Sequence, residues 1–340
     1  MRQSKYIYNF ALDDVEGSKT LIHKLGGKGA NLAEMCSLKI PVPPGFTIST
    51  EVCIYYLKNK KFPKGFKKSV LKSIKKIENK LDCKFGSNKR PLLFSVRSGA
   101  RQSMPGMMET VLNVGLTSET LLGLIQQTKD EKFVYDSYRR LIMMYSDVVM
   151  EKANNINCGI RENFESIMTQ KKKTLNIVND SDLSINELKR LCKVFKKEVL
   201  INLNTEFPDD PYDQLWSTIK AVCVSWNGFR AKQYRKIENI PNDWGTAVTI
   251  QSMVFGNMGS QSATGVAFTR NPTNGRNQIY GEWLPNAQGE DVVAGIRTPF
   301  PINEASKNAL TKHKETLEFK FPKIYNDLLS IKKNIRATLS

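Results

Sequence analysis

The chain has fourteen prolines, yet none falls between Gly106 and Phe207. A proline-free span of that length, with apolar residues at helical spacing, commits the middle of the chain to helices. Val134, Tyr138, Leu141, Ile142, Tyr145 and Val149 line one face of a long expected helix. Ser184 with Glu187 reads as a capping box, and the apolar side it opens runs through Ile185, Leu188, Cys192, Phe195 and Val199. The turn Phe207-Pro208-Asp209-Asp210-Pro211 closes this unit, and a further helix is expected over about 212–236. The flanks differ. The first hundred residues mix short apolar runs with Gly and Pro turns, and strand-like runs follow Pro241 at 248–254, 266–269 and 278–283. From about 304 onward the polar sequence is expected to be helical. A helical unit set into a strand-bearing frame predicts an α+β chain.

The net charge of +18 invites a nucleic-acid reading, because ten lysines lie between Lys58 and Lys80. Phe66, Val70, Ile74 and Ile77 recur there at helical spacing, which favours an amphipathic helix with a solvated lysine face. Nucleic acid is therefore not an expected partner. No apolar run of eighteen residues exists, so no membrane span is expected. The N-terminal segment lacks the apolar stretch of a signal peptide, which points to the cytoplasm. Six cysteines, no two closer than seventeen residues, fit neither a zinc site nor a disulfide scaffold.

Two segments carry chemistry. Leu92 to Val96 form an apolar run that delivers Arg97 onto a loop of small residues, Ser103-Met104-Pro105-Gly106-Met107. A fixed guanidinium followed by a glycine-bearing loop suits phosphate, since the fork meets oxygen pairs while backbone N–H groups close over the anion. Nearer the N-terminus, Gly26-Gly27-Lys28-Gly29 precedes an apolar helix, an arrangement in which backbone and lysine can approach an anion. The spacing is not that of a Walker A loop.

The run GGKGANLAEM with VPPGF resembles the opening of a dikinase group that uses phosphoenolpyruvate. SVRSGARQSMPGMMETVLNVG then resembles the nucleotide-binding domain of the pyruvate phosphate dikinase family within that group. YDSYRRLIMMYSDVVM, DWGTAVTIQSMVFGN, TGVAFTRNP and GEWLPNAQGEDVVAGIRTP follow in the same order. The resemblance implies an ATP-grasp-like domain whose α+β subdomains clasp ATP: residues 1–115 and 207–250 would form the first, 116–206 an inserted helical subdomain, and 251–340 the second. It implies transfer of phosphoryl groups from ATP to a histidine on a separate swivelling domain, on the way to phosphoenolpyruvate from pyruvate and phosphate.

Carried over residue by residue, Lys28 and Arg97 are similar to the family's phosphate-binding, catalytic pair. Ser103, Met104, Pro105, Gly106 and Met107 correspond to the loop over the phosphates. Gln251, Met253 and Val254 stand where adenine is contacted, and Thr264 and Gly265 lie in a second small-residue turn. Glu282, and beside it Glu290, correspond to ribose or metal-shell positions. Taken singly, Arg97 reads as a surface ion pair, Lys28 as a helix-end charge and Met253 as a core gap-filler; the collinear order of the motifs favours the site. Alternation would turn Gln251 and Met253 to one face and Val254 to the other. The family's acidic strand for Mg²⁺ and its Gln-Thr-Arg segment have no counterpart before Ser340, so no metal ligand is assigned here. His23 and His313 do not resemble a phosphohistidine loop and are expected to be exposed. These gaps imply a catalytically incomplete portion, truncated before its last strand. The competing expectation is a non-enzymatic remnant that folds without binding nucleotide productively.

Overall fold

The computed structural model describes residues 5–293 and 297–339. The chain is a mixed helix-and-sheet protein of two compact units, one ending at Met253 and the other beginning at Val254. Its strands are β1 (Ile7–Phe10), β2 (Gly45–Ile48), β3 (Lys84–Phe85), β4 (Pro91–Leu92), β5 (Phe94–Gly99), β6 (Thr110–Val114), β7 (Ala247–Ser252), β8 (Ala263–Phe268), β9 (Tyr280–Pro285) and β10 (Phe300–Pro301). The first unit is built on a five-stranded sheet in the order β1-β2-β7-β5-β6, every neighbour antiparallel. β7 is the central strand and is buried along its whole length. It pairs on both sides, so the boundary expected at 250/251 runs through a strand that belongs wholly to the first unit.

Helices α1 (Ile22–Ser37), α2 (Thr50–Asn59) and α3 (Phe66–Leu81) belong to the first segment of this unit. α1 packs on β7, β5 and β2. In α3, Phe66, Val70, Ile74 and Ile77 are buried, as their spacing predicts. Two lysines of its polar face turn back to the loop after β1, Lys76 onto Asp14 at 3.0 Å and Lys80 onto Asp13. Exposed pairs of this kind each contribute at most about 1 kcal/mol.

The proline-free span forms α4 (Ser118–Thr128), α5 (Glu131–Tyr145), α6 (Ile160–Leu175) and α7 (Ile185–Leu203). α5 packs on both α7 and β6. Phe164 of α6 stacks on Phe195 of α7, ring centroids 4.5 Å apart, and both are fully buried. The expected capping box is half made: the Ser184 hydroxyl accepts from Glu187 N–H, whereas the Glu187 carboxylate pairs with Lys171 and Arg190. Burial alone would push the Asp136 carboxyl up; Arg139 and Arg140 outweigh it and hold the group below its ordinary range. α5 continues as a wide turn, Ser146–Glu151, ending in a buried carboxylate. α6 has no N-cap side chain of its own, and Glu151 supplies one, accepting from the N–H groups of Cys158, Gly159 and Ile160 at 2.8–2.9 Å. Glu151→Gln keeps the shape but loses the charge that favours a helix N-terminus. It is expected to lower unfolding free energy by about 1–3 kcal/mol, read as a shift in denaturation midpoint.

The helix expected over 212–236 is two, α8 (Pro211–Ser225) and α9 (Phe229–Ile237). The break falls at Gly228, whose extended backbone caps α9. α8 returns the chain to the sheet. Its fully buried Gln214 accepts from Gly115 N–H at 2.9 Å and donates to the carbonyls of Leu116 and Pro208.

The second unit carries the three-stranded sheet β10-β9-β8, with α10 (Gly289–Val293), α11 (Leu317–Lys320) and α12 (Pro322–Leu339). Ile279, Trp283, Ile302, Leu317 and Tyr325 form its core. The tail expected to be helical from about 304 is so only from Leu317 onward, apart from one short turn at Glu304–Ser306. Asn308 and Thr311 bond each other's backbone in between and hold that stretch as a loop. No helix among the described residues is long and apolar enough to cross a membrane. All six cysteines are free thiols.

Candidate phosphate-binding site

Arg97 lies inside a strand, not on the loop that the sequence suggests. Its Cα pairs with Thr249 on one side and Thr110 on the other, and β5 ends only at Gly99. The register sets Arg97 two residues away from the pairing of Ser95 with Gln251, on the same face of the sheet. Its Nη2 donates to Gln251 Oε1 at 2.6 Å, and Gln251 Nε2 in turn donates to the Pro43 carbonyl at 3.0 Å. Arg97 Nε is buried with no acceptor. Desolvation lowers the guanidinium's affinity for its proton.

Lys28 is brought near Arg97 by a kink in α1. Gly26 adopts φ 65° and ψ 173°, a conformation open essentially only to glycine. A Cβ there would sit 1.8 Å from the Gly99 carbonyl oxygen. The next residue, Gly27, donates its N–H to the Ala100 carbonyl at 2.8 Å. Gly26 therefore serves contact between two backbone segments, and the Gly27 N–H is engaged by the Ala100 carbonyl. The result puts the Lys28 Cβ within 3.7 Å of where a Cβ on Gly99 would stand. Crowding by protein, and then the Arg97 charge, lower the Lys28 ammonium below its ordinary value, although the side chain keeps solvent contact. Among the described residues no carboxylate pairs with Lys28 or Arg97. Two uncompensated cations at one place suit a multiply charged anion.

The residues 103–107 form the connection between β5 and β6. Met104 is buried, Ser103, Pro105 and Gly106 are exposed, and Met107 closes a turn onto the Met104 carbonyl at 3.2 Å. Met253 follows the end of β7 and donates its N–H to Leu93 O at 2.9 Å. Lys28, Arg97, Gln251, Met253 and this loop thus share the first unit. Val254, Thr264, Gly265 and Glu282 belong to the second. Val254 is exposed. Thr264 and Gly265 lie in strand β8, not in a turn, because they pair with Leu284 and Trp283 of β9. The Thr264 hydroxyl donates to Ala287 O at 2.6 Å. Glu282 is an exposed residue of β9. Glu290 lies outside the described side chains. His23 and His313 are exposed.

Among the described residues no group of three or more His, Cys, Asp or Glu is placed to hold a metal ion. The sequence reading passes over Arg101 and Trp244; the second arginine of SVRSGAR is the signal that marks the former.

The family profile described as pyruvate phosphate dikinase, AMP/ATP-binding domain, matches residues 22–67 and 62–327. The chain is 47% identical over 329 residues to pyruvate, phosphate dikinase of Rhizobium meliloti (strain 1021), covering 96% of this chain and 36% of that protein. Identity is 46% over 329 residues to the enzyme of Clostridium symbiosum, with the same coverage. It is 47% over 293 residues to pyruvate, phosphate dikinase 2 of Oryza sativa subsp. japonica, covering 86% of this chain and 32% of that one. The chain therefore spans about a third of the length of the relatives it matches. With a profile match across most of its residues, it belongs to the pyruvate phosphate dikinase AMP/ATP-binding domain family.

Proposed function

We propose that this chain is the ATP-binding and phosphotransfer portion of a pyruvate phosphate dikinase, with an ATP-grasp-like fold. The observation that carries the reading is the convergence of Lys28 and Arg97, without a carboxylate, where the Gly26 kink meets the end of β5. In this reading Arg97, steadied by Gln251, forks onto phosphoryl oxygens while Lys28 supplies a movable point charge. Phosphoryl transfer is mostly positioning and charge neutralisation, which these two groups provide. The 103–107 loop would close over the phosphates, and Met253 with Val254 would meet the adenine. The family resemblance would give Thr264, Gly265 and Glu282 nucleotide-binding roles of their own. The whole protein would convert ATP, phosphate and pyruvate to AMP, pyrophosphate and phosphoenolpyruvate. This portion would pass the β-phosphoryl group to a histidine on a swivelling domain in the cytoplasm, with Mg²⁺ as the nucleotide's counter-ion.

The competing reading is a folded remnant that does not bind nucleotide productively. Thermal melts separate the two. ATP at a hundred times its dissociation constant stabilises a folded chain by about 2.7 kcal/mol, so the melting temperature should rise. The rise should shrink at alkaline pH, because Lys28 binds phosphate only while protonated. Its lowered pKa brings that loss on earlier than for an ordinary lysine. A melt indifferent to ATP at neutral pH would favour the remnant.

A further inference from the structure

We infer that Arg101, propped on the indole of Trp244, is a third cationic ligand for the phosphate chain, beside Lys28 and Arg97. The inference rests on the nucleotide reading above and adds to it a residue and a platform. Arg101 follows directly on the backbone that meets the glycine turn: Ala100 O accepts from Gly27 N–H, and Arg101 O lies 3.8 Å from where a Gly27 Cβ would stand. Lys28 and Arg101 thus leave adjacent points of two touching backbones. The Arg101 guanidinium carbon sits 4.9 Å from the centroid of the Trp244 ring. Its Nε is buried and has no acceptor, as is true of Arg97 Nε.

Arg90, Arg139, Arg161, Arg190 and Arg230 each hold a carboxylate. Among the described residues none pairs with Arg101. A stacked guanidinium keeps its in-plane N–H groups free to fork onto an anion, which a lysine in that place does not reproduce.

The platform is itself anchored. Trp244 ends a short turn, Asn242–Trp244, whose Asn242 carbonyl accepts from Trp226 Nε1 at 2.9 Å. Asn242 Oδ1 accepts from Nε and Nη2 of Arg235 at 3.1 and 3.0 Å. Trp226 and Arg235 are both buried, the cation 4.1 Å from the ring centroid. Trp244 is therefore a positioning residue: it fixes a cation that would otherwise have to be ordered on binding.

The test is calorimetric titration of the 340-residue chain and its Arg101→Ala, Arg101→Lys and Trp244→Leu variants with ATP, AMP, pyrophosphate and inorganic phosphate. Loss of one charge-assisted contact should weaken ATP and pyrophosphate about tenfold in Arg101→Ala and leave AMP within about twofold. Arg101→Lys should recover part of the loss, and Trp244→Leu should show a smaller one of the same pattern. An Arg101→Ala chain that binds ATP like the parent, or loses ATP and AMP equally, overturns the inference. So does a loss confined to inorganic phosphate, which would assign Arg101 to the free anion. If Arg101→Ala melts early, the lysine variant, which keeps the charge, decides by the same ratios. A parent that binds pyrophosphate through Arg101 but not ATP would sink the nucleotide reading and leave the Arg101 assignment standing.

Discussion

Arg97→Met is expected to weaken ATP binding at least about a hundredfold, as loss of a bidentate charge-assisted contact implies, without lowering the stability of the free chain. The two effects have separate causes. In the free protein Arg97 is a half-buried cation with an unbonded Nε, and it raises the cost of charging Lys28. Removing it relieves that repulsion and a desolvated charge. The opposing cost is Gln251 Oε1, which loses its 2.6 Å donor. An unsatisfied buried acceptor costs about 1–3 kcal/mol, of the same order as the relief. Titration with ATP and a denaturant melt, run on the same preparation, check both halves. A variant that binds ATP like the parent would remove Arg97 from the site. One that unfolds early would show Arg97 to be a structural strut.

Gly26→Ala is expected to be among the most damaging single changes in the first unit. The conformation at φ 65° and ψ 173° penalises any side chain, by about 1–3 kcal/mol. The added Cβ would also fall 1.8 Å from Gly99 O, so either the kink in α1 or the end of β5 must move. The combined loss should exceed about 3 kcal/mol and be visible as a lower denaturation midpoint. ATP affinity should fall with it, because the same contact registers Lys28 against the strand that carries Arg97. Gly27→Ala is the control: its Cβ would meet Ala100 O at 3.6 Å, an ordinary contact. A Gly26→Ala chain with the parent's midpoint would contradict the role given to this turn.

Much of the frame was legible in the sequence because it is written in local periodicity. The lysine-rich stretch folds as α3 with the expected buried positions, and the proline-free span is helical from Ser118 to Leu203 apart from its turns. Gly228 shows a limit of periodicity: apolar spacing runs on through Trp226, but the glycine restarts the chain as a new helix. Lys28 and Arg97 were visible as charges beside glycines. Their environment was not, since Gln251 reaches Arg97 only through the pairing of β5 with β7, about 150 residues apart. Long-range strand pairing leaves no local period. The glycines were read as making room for an anion, whereas Gly26 makes room for the backbone at Gly99. Thr264 and Gly265 suggested a turn by composition, and the partner strand β9 holds them extended. The Glu151 cap on α6 was equally hidden, because the acceptor comes from the preceding turn and not from the helix it closes.

The central claim is that the edge formed by the Gly26 kink and β5 is an ATP phosphate site. Calorimetric titration of this chain with ATP, with and without Mg²⁺, tests it most directly. Micromolar binding that needs Lys28, in at least one of the two conditions, is the predicted result. No binding up to millimolar ATP, in a chain shown to be folded, would contradict it.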